Sequence, residues 1–269
     1  MATQAKRRAP AVAAPRLPGR YALGVGAVLA GAAGLVWRQT GWRQIVPLNH
    51  LPAGAVLALF LLVSAAELAG GIAMLWPRTP STAVRAGAGA LVAAYAATTL
   101  LSLPDVVRSP GVFNSWGNAG EVLSELAGAV LVVVLARGRQ RPWAGRLGWA
   151  AYWAFAACVV TYMIEQWVYF APAVALVPRW IPAGPTFWAV ATTVFFGLAA
   201  AALLARRAAV PAAHLLTAML LGFAVLVWVP ILRAHPRVAS NWTEFAETLA
   251  MAGAAWLSAD WLRHSRAVR

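Results

Sequence analysis

Apolar positions in this chain fall into eight long blocks, without the two-residue alternation of a half-buried strand. The blocks cover residues 20–37, 54–76, 83–103, 117–136, 147–170, 185–205, 209–229 and 243–262. Each is close to the length a helix needs to cross a hydrocarbon layer about 30 Å thick. Backbone groups in such a layer must bond within their own segment, so the blocks predict helices. Arginines, prolines and tryptophans collect between them. The expected fold class is an all-α membrane protein with eight transmembrane helices.

The blocks repeat. A shift of 126 residues carries Gly19-Arg20 onto Gly145-Arg146, Pro52 onto Pro178, Gly71 onto Gly197 and Pro104 onto Pro230. The same shift carries Pro110 onto Pro236, Trp116 onto Trp242 and Glu121 onto Glu247, with no gap. A unit of four helices is duplicated. Four is even, so both copies enter the membrane the same way and form a parallel repeat. The expected organisation is a disordered basic arm (1–18), a first four-helix repeat (19–137), a second (145–262) and a basic tail (263–269). The first block follows a basic region, as a cleaved signal peptide would. Its twin at the fifth block marks it instead as a retained helix.

Charge sets the orientation. With the N-terminus cytoplasmic, 16 of the 22 Lys+Arg residues fall on the inner side and 6 on the outer. Basic loops belong on the cytoplasmic side, so both termini are expected there. The composition is 61% hydrophobic and 11% charged, far below the quarter or so usual in soluble domains. The net charge of +14 is scattered between apolar blocks and forms no stripe, which argues against nucleic acid as a partner. A single cysteine, Cys158, excludes an internal disulfide and reads as a small apolar residue inside a helix.

Polar chemistry gathers on the outer side. The connections at 38–52 and 171–185 are rich in Pro and Trp and suit an interfacial or partly re-entrant segment. The other two outer connections share a skeleton: "PGVFNSWGNAGEVL" (110–123) and "PRVASNWTEFAETL" (236–249). Pro104 and Pro230 are expected to end the third helix of each unit, since proline removes a backbone donor. Asn114 and Ser115, or Ser240 and Asn241, are natural caps for the fourth. Trp116 and Trp242 then lie at headgroup level. Glu121 and Glu247 sit about 140° around the helix and roughly 7.5 Å deeper, facing the bundle if the indole faces lipid.

The candidate ligand-binding set is Glu67, Glu121, Glu125, Glu247, Trp116, Trp242, Arg108 and Arg233. Glu125 lies one turn below Glu121, and Glu244 nearly one turn above Glu247. Carboxylates so placed repel if all ionise, so one holds a proton or an arginine offsets it, with Arg108, Arg233 and Arg237 nearby in sequence. One reading makes Glu121 and Glu247 ties between loops and helix ends. The other makes them a headgroup site for a quinone, lipid or proton. Glu67 lies deep in the second block without a twin carboxylate, because Thr193 holds the matching place. An intramembrane glutamate is a functional candidate by default. Glu165, near the outer end of the fifth block, reads as reaching water. His50, His214, His235 and His264 offer no pair at one depth for a haem, and no metal-ligand spacing is present. No catalytic constellation stands out.

Three stretches give the chain a resemblance to a known family. "AELAGGIAML" (66–75), "VPRWIPAG" (177–184) and "NWTEFAETLAMAGAAWLSAD" (241–260) are similar to the second helix, the outer loop and the fourth helix of the DoxX-like membrane proteins. The resemblance spans residues 20–262 as two tandem units, whereas the simple family pattern is a single unit. It implies a bacterial inner-membrane protein and a non-catalytic subunit or scaffold of a quinone-linked redox assembly. Quinone is then the implied cofactor, and the bilayer and a redox subunit the implied partners. Relatives with redox cysteines find no counterpart here. Two other readings stand beside this one: a transporter of a small lipophilic solute, and a lipid- or quinone-modifying enzyme using Glu121 or Glu247.

Overall fold

The computed structural model describes residues 17–38, 48–76, 81–137 and 142–266. The expected arm at 1–18, except Leu17 and Pro18, lies outside the described residues, as do 39–47 of the first outer connection. The described residues are helical throughout, without a strand. The first half forms α1 (Gly19–Trp37), α2 (Ala53–Leu75), α3 (Ser81–Arg108) and α4 (Phe113–Arg137). The second half forms α5 (Pro142–Val168), a short α6 (Phe170–Leu176), α7 (Pro185–Ala205), α8 (Ala209–Phe223), α9 (Val229–Ala234) and α10 (Ala239–Arg266). A single π-helical turn, Ala224–Trp228, joins α8 to α9.

Seven helices are long and apolar enough to cross a membrane, with Ala209–Ala234 counted as one. The expected eighth, α10, is long enough at 28 residues but less apolar. Its position explains this. α10 packs against α1, α8 and α4 and buries Ala250, Ala252, Ala254 and Leu257, while Trp261 is buried against Trp149 of α5. A helix walled by protein need not be apolar on every face.

Consecutive helices pack in order: α1 on α2, α2 on α3, α3 on α4, then α5 on α7, α7 on α8, α8 on α10. The two halves meet through α1 against α10, α4 against α5, and α4 against α10. α1 and α10 run antiparallel, since Gly19 faces Gly253 and Leu257 while Gly26 faces Ala246 and Ala250. The described ends of the chain therefore lie at one end of the bundle. The α3–α4, α5–α7 and α9–α10 connections lie at the other.

Both prolines expected to end a helix lie inside one. α3 runs through Pro104 to Arg108. On the other side the helix takes up Pro230, which has no N–H to give residue 226, by widening. The Val229 N–H reaches back five residues to the Ala224 carbonyl. The chain turns instead at Pro110 and Pro236. There the Val112 N–H donates to the Ser109 carbonyl at 2.9 Å and the Val238 N–H to the His235 carbonyl at 3.2 Å. These turns start α4 at Phe113 and α10 at Ala239, so Asn114, Ser115, Ser240 and Asn241 lie within the first helical turn and are not its caps. The outer connection 171–185 contains α6, which buries none of its residues, as suits a segment lying along a surface.

Missing side chains set the α1–α10 spacing. A Cβ on Gly26 would stand 2.5 Å from the Ala246 carbonyl oxygen and 2.8 Å from the Ala250 Cβ. Gly26→Val is expected to force the helices apart and cost about 1–3 kcal/mol, the usual range for overpacking. Gly89, with nothing within 4 Å of such a Cβ, is the control. Thermal unfolding in detergent should show a clear drop for Gly26→Val and none for Gly89→Ala. Equal melting temperatures would refute the close-packing account.

Candidate functional site

The six glutamates of the chain converge, five of them at least half-buried and Glu244 exposed, although they come from four helices. α2 contributes Glu67, α4 Glu121 and Glu125, α5 Glu165, and α10 Glu244 and Glu247. The charged groups in electrostatic reach of Glu121 are Glu247, Glu165 and Glu244. Those in reach of Glu125 are Glu67 and Glu121. Glu247 is in reach of Glu125, Glu244, Glu67 and Glu165, and so joins the two sets. Glu125 is buried, Glu67, Glu121, Glu165 and Glu247 are half-buried, and Glu244 is exposed. Among the described residues none of these carboxylates has a lysine or arginine partner.

Helix geometry explains the convergence. Four residues separate Glu121 from Glu125, which stacks them on one face of α4. Gly117 makes room for Glu165 across the α4–α5 contact, since a Cβ there would lie 2.7 Å from Glu165 Oε1. Tyr95 of α3 is buried beside Glu125, Glu67 and Glu247, and its hydroxyl has no hydrogen-bond partner among the described residues. Glu67 thus has company that its lack of a twin did not foretell.

Toward the end of the bundle opposite the termini, the glutamates border a cavity of about 580 Å³. Glu121, Glu165 and Glu244 reach its wall, with Tyr162, Gln166 and Thr192. Much of the rest is aromatic or aliphatic, including Trp188, Phe196, Phe223 and Trp228. The π turn supplies Leu226, Val227 and Trp228 to the same wall. Single π turns recur at functional sites. Among the described residues, no lysine, arginine or histidine borders the cavity.

Polar groups around the cavity are unevenly satisfied. Gln166 Oε1 accepts hydrogen bonds from the hydroxyls of Thr192 and Thr193, each at 3.1 Å. At the rim the Asn114 N–H donates to the Tyr169 hydroxyl at 3.0 Å, tying the start of α4 to the end of α5. Tyr162 is only 5% exposed, and its hydroxyl has no hydrogen-bond partner among the described residues. Adjacent Ser124 commits its own hydroxyl to the Glu121 carbonyl at 2.7 Å.

Of the sequence-derived candidates, the structure brings together Glu67, Glu121, Glu125 and Glu247. It sets Arg108 and Arg233 apart, exposed at the bundle end, with Arg237 likewise exposed. Trp116 and Trp242 have a different task. Each indole N–H donates to the carbonyl of the proline six residues back, Trp116 to Pro110 at 3.2 Å and Trp242 to Pro236 at 2.9 Å. The Pro-x5-Trp skeleton is therefore a clasp that closes the turn onto its helix. Trp188 and Pro182 make a third such clasp at 2.6 Å. Trp242 also stacks on Trp37 of α1, with ring centroids 6.4 Å apart. Sequence reasoning missed Tyr95, Tyr162 and the cavity-facing role of Glu165. The one available signal was Tyr162 and Glu165 three residues apart on α5, on one helix face.

Trp242→Phe keeps the ring and removes the hydrogen bond. It is expected to cost about 1 kcal/mol, the net value of one such bond, and to quicken proteolysis at the 235–238 turn. Unchanged melting and unchanged proteolysis in detergent would show that the clasp contributes nothing.

Among metal-binding possibilities, no group of three His, Cys, Asp or Glu side chains in the described residues is placed to hold an ion. Comparison with known protein families, with curated proteins and with solved structures finds no match.

Proposed function

We propose that the chain is an eight-span integral membrane protein, built from two parallel four-helix units, that binds a small lipophilic solute in the 580 Å³ cavity and carries it across the membrane. The cavity is the observation that carries this reading. Its volume lies in the range of small-molecule sites, and it combines a mainly apolar wall with a few convergent polar groups. The matched pairings, α1 on α10 and α5 on α4, support the duplicated layout. Pro230 and the π turn place a deformable helix segment beside the ligand space. The distribution of arginines supports a bacterial inner-membrane location with both termini cytoplasmic, so that the cavity opens toward the outer face.

A second reading uses the same cavity. In a quinone-linked accessory subunit, as the DoxX-like resemblance implies, quinone carbonyls would need donors. The Tyr162 hydroxyl at the wall supplies one such donor. Among the described residues the wall holds three carboxyl groups and no cation, which favours the carrier.

Two experiments test these proposals. In the first, protein purified in mild detergent is extracted and its small molecules identified by mass spectrometry. Wild type should retain a stoichiometric amphiphile that is lost from Ala173→Trp, a substitution on α6 that fills the cavity without touching the core. Vesicle uptake of that molecule should fall with it at equal protein level. Recovery of bulk phospholipid alone from both proteins would remove the carrier reading. A bound quinone with a co-purifying redox subunit would establish the alternative.

The second experiment fixes orientation. A fluorescent protein fused after Arg269 should fluoresce, and alkaline phosphatase inserted at 109–112 should be active. The reverse pattern would overturn the proposed topology.

A further inference from the structure

We infer that the cavity selects an organic cation: a lipophilic amine, quaternary ammonium or phosphonium compound. This inference rests on the reading of the cavity as a solute site and names the class of solute. Three features of the wall converge on it.

The first is charge. Glu121 from α4, Glu165 from α5 and Glu244 from α10 present carboxyl groups to one space, and among the described residues no basic side chain borders it. A carboxylate in an apolar interior must be offset by a counter-charge or neutralised by a proton. The described lining supplies no counter-charge, so a positive ligand fills the place that an arginine would hold in a closed structural ion pair.

The second is the rest of the lining. Trp188, Trp228, Tyr162 and Phe223 stand on the same wall as the carboxyl groups. Aromatic faces attract cations, and most strongly where water is excluded. Anions gain nothing from them. The combination of carboxylates and aromatic faces discriminates by sign of charge, which an apolar pocket alone does not.

The third is Tyr162. Its buried hydroxyl is unpartnered among the described residues and borders the cavity. A buried hydroxyl without a partner is costly. Its lone pairs can accept from an ammonium N–H or lie against a quaternary centre.

A dependence on pH follows from the same arrangement. The ionisable groups facing Glu121 are Glu165 and Tyr162 from α5 and Glu244 and Glu247 from α10. None from α1 or α3 is among the charged groups in its reach. At least one of these carboxyls must lose its proton to hold a cation, so cation binding tightens as pH rises.

The test uses the full-length protein in detergent and three probes of similar shape: tetraphenylphosphonium, tetraphenylborate and neutral triphenylphosphine oxide. Equilibrium dialysis should show tetraphenylphosphonium binding more tightly than the neutral probe, and tetraphenylborate not binding. Affinity for the cation should be higher at alkaline than at acidic pH, while that for the neutral probe stays flat. Glu121→Gln and Glu165→Gln should each weaken cation binding about tenfold or more, as expected for losing a close charge in a low-dielectric site, and leave the neutral probe unaffected. Retained neutral-probe binding also shows that each variant is folded. Cation and neutral probes bound equally, or the borate bound better, would overturn the inference while leaving the solute cavity standing. No binding of any probe by wild type would overturn both.

Discussion

The contact between α1 and α10 governs the arrangement of everything else. In a membrane there is little hydrophobic force between helices, so association depends on close packing and on hydrogen bonds. Gly19, Gly26 and Gly253 let the two backbones approach until a Cβ on any of them would collide. α1 therefore packs against the last helix of the chain and only lightly touches α4, the last of its own half. That choice draws α10 into the centre. It sets Glu247 near Glu67 and Glu125, and lets α4 meet both α5 and α10. With a conventional closure of α1 on α4, each half would hold its own acids and no shared cluster would form.

Gathering six glutamates without a basic partner among the described residues runs against the electrostatics of a low-dielectric interior. Arg108, Arg233 and Arg237 stay exposed at one end of the bundle. Arg206 lies over the Trp149 ring at 4.3 Å and Arg137 over Trp143 at 5.4 Å, where an interfacial aromatic and water both remain within reach. Such a separation of sign is not what stability alone produces, because a single arginine on α3 or α7 would offset several of the carboxyl groups. A cluster left open in this way is what a site for a transient positive species, a proton or a cationic solute, requires.

Much of the fold was legible in the sequence because a membrane leaves few solutions. The blocks 185–205 and 20–37 match helices at Pro185–Ala205 and Gly19–Trp37 nearly residue for residue. The prolines misled. Pro104 and Pro230 look like stops, but a helix walled by others tolerates a missing donor, and the π turn at Ala224–Trp228 is the form that tolerance takes on one side. The motif around Trp116 and Trp242 was visible, but its meaning was not. Helical geometry pointed each glutamate inward, yet only the folded chain shows that the indole holds the preceding proline and that Arg108 and Arg233 stay at the surface. Glu67 looked solitary because periodicity reads along one helix, whereas its companions come from α4 and α10.

The two halves share their framework and differ in their chemistry. The clasp is kept at Pro110–Trp116 and Pro236–Trp242, and so is the glutamate at 121 and 247. The other four glutamates are not shared. At a shift of 126 residues, Glu67 stands against Thr193, Glu125 against Met251, Glu165 against Gln39 and Glu244 against Asn118. Tyr162 stands against Val36 and Trp228 against Ser102. What packs helices is retained in both copies, and what lines the cavity belongs mostly to one. A pure scaffold gains nothing from such divergence, since both copies need only the same packing. On the proposed reading of a solute site the divergence has a use: one half holds the frame while the other, with Glu121 reaching in from its neighbour, carries an acidic, aromatic wall.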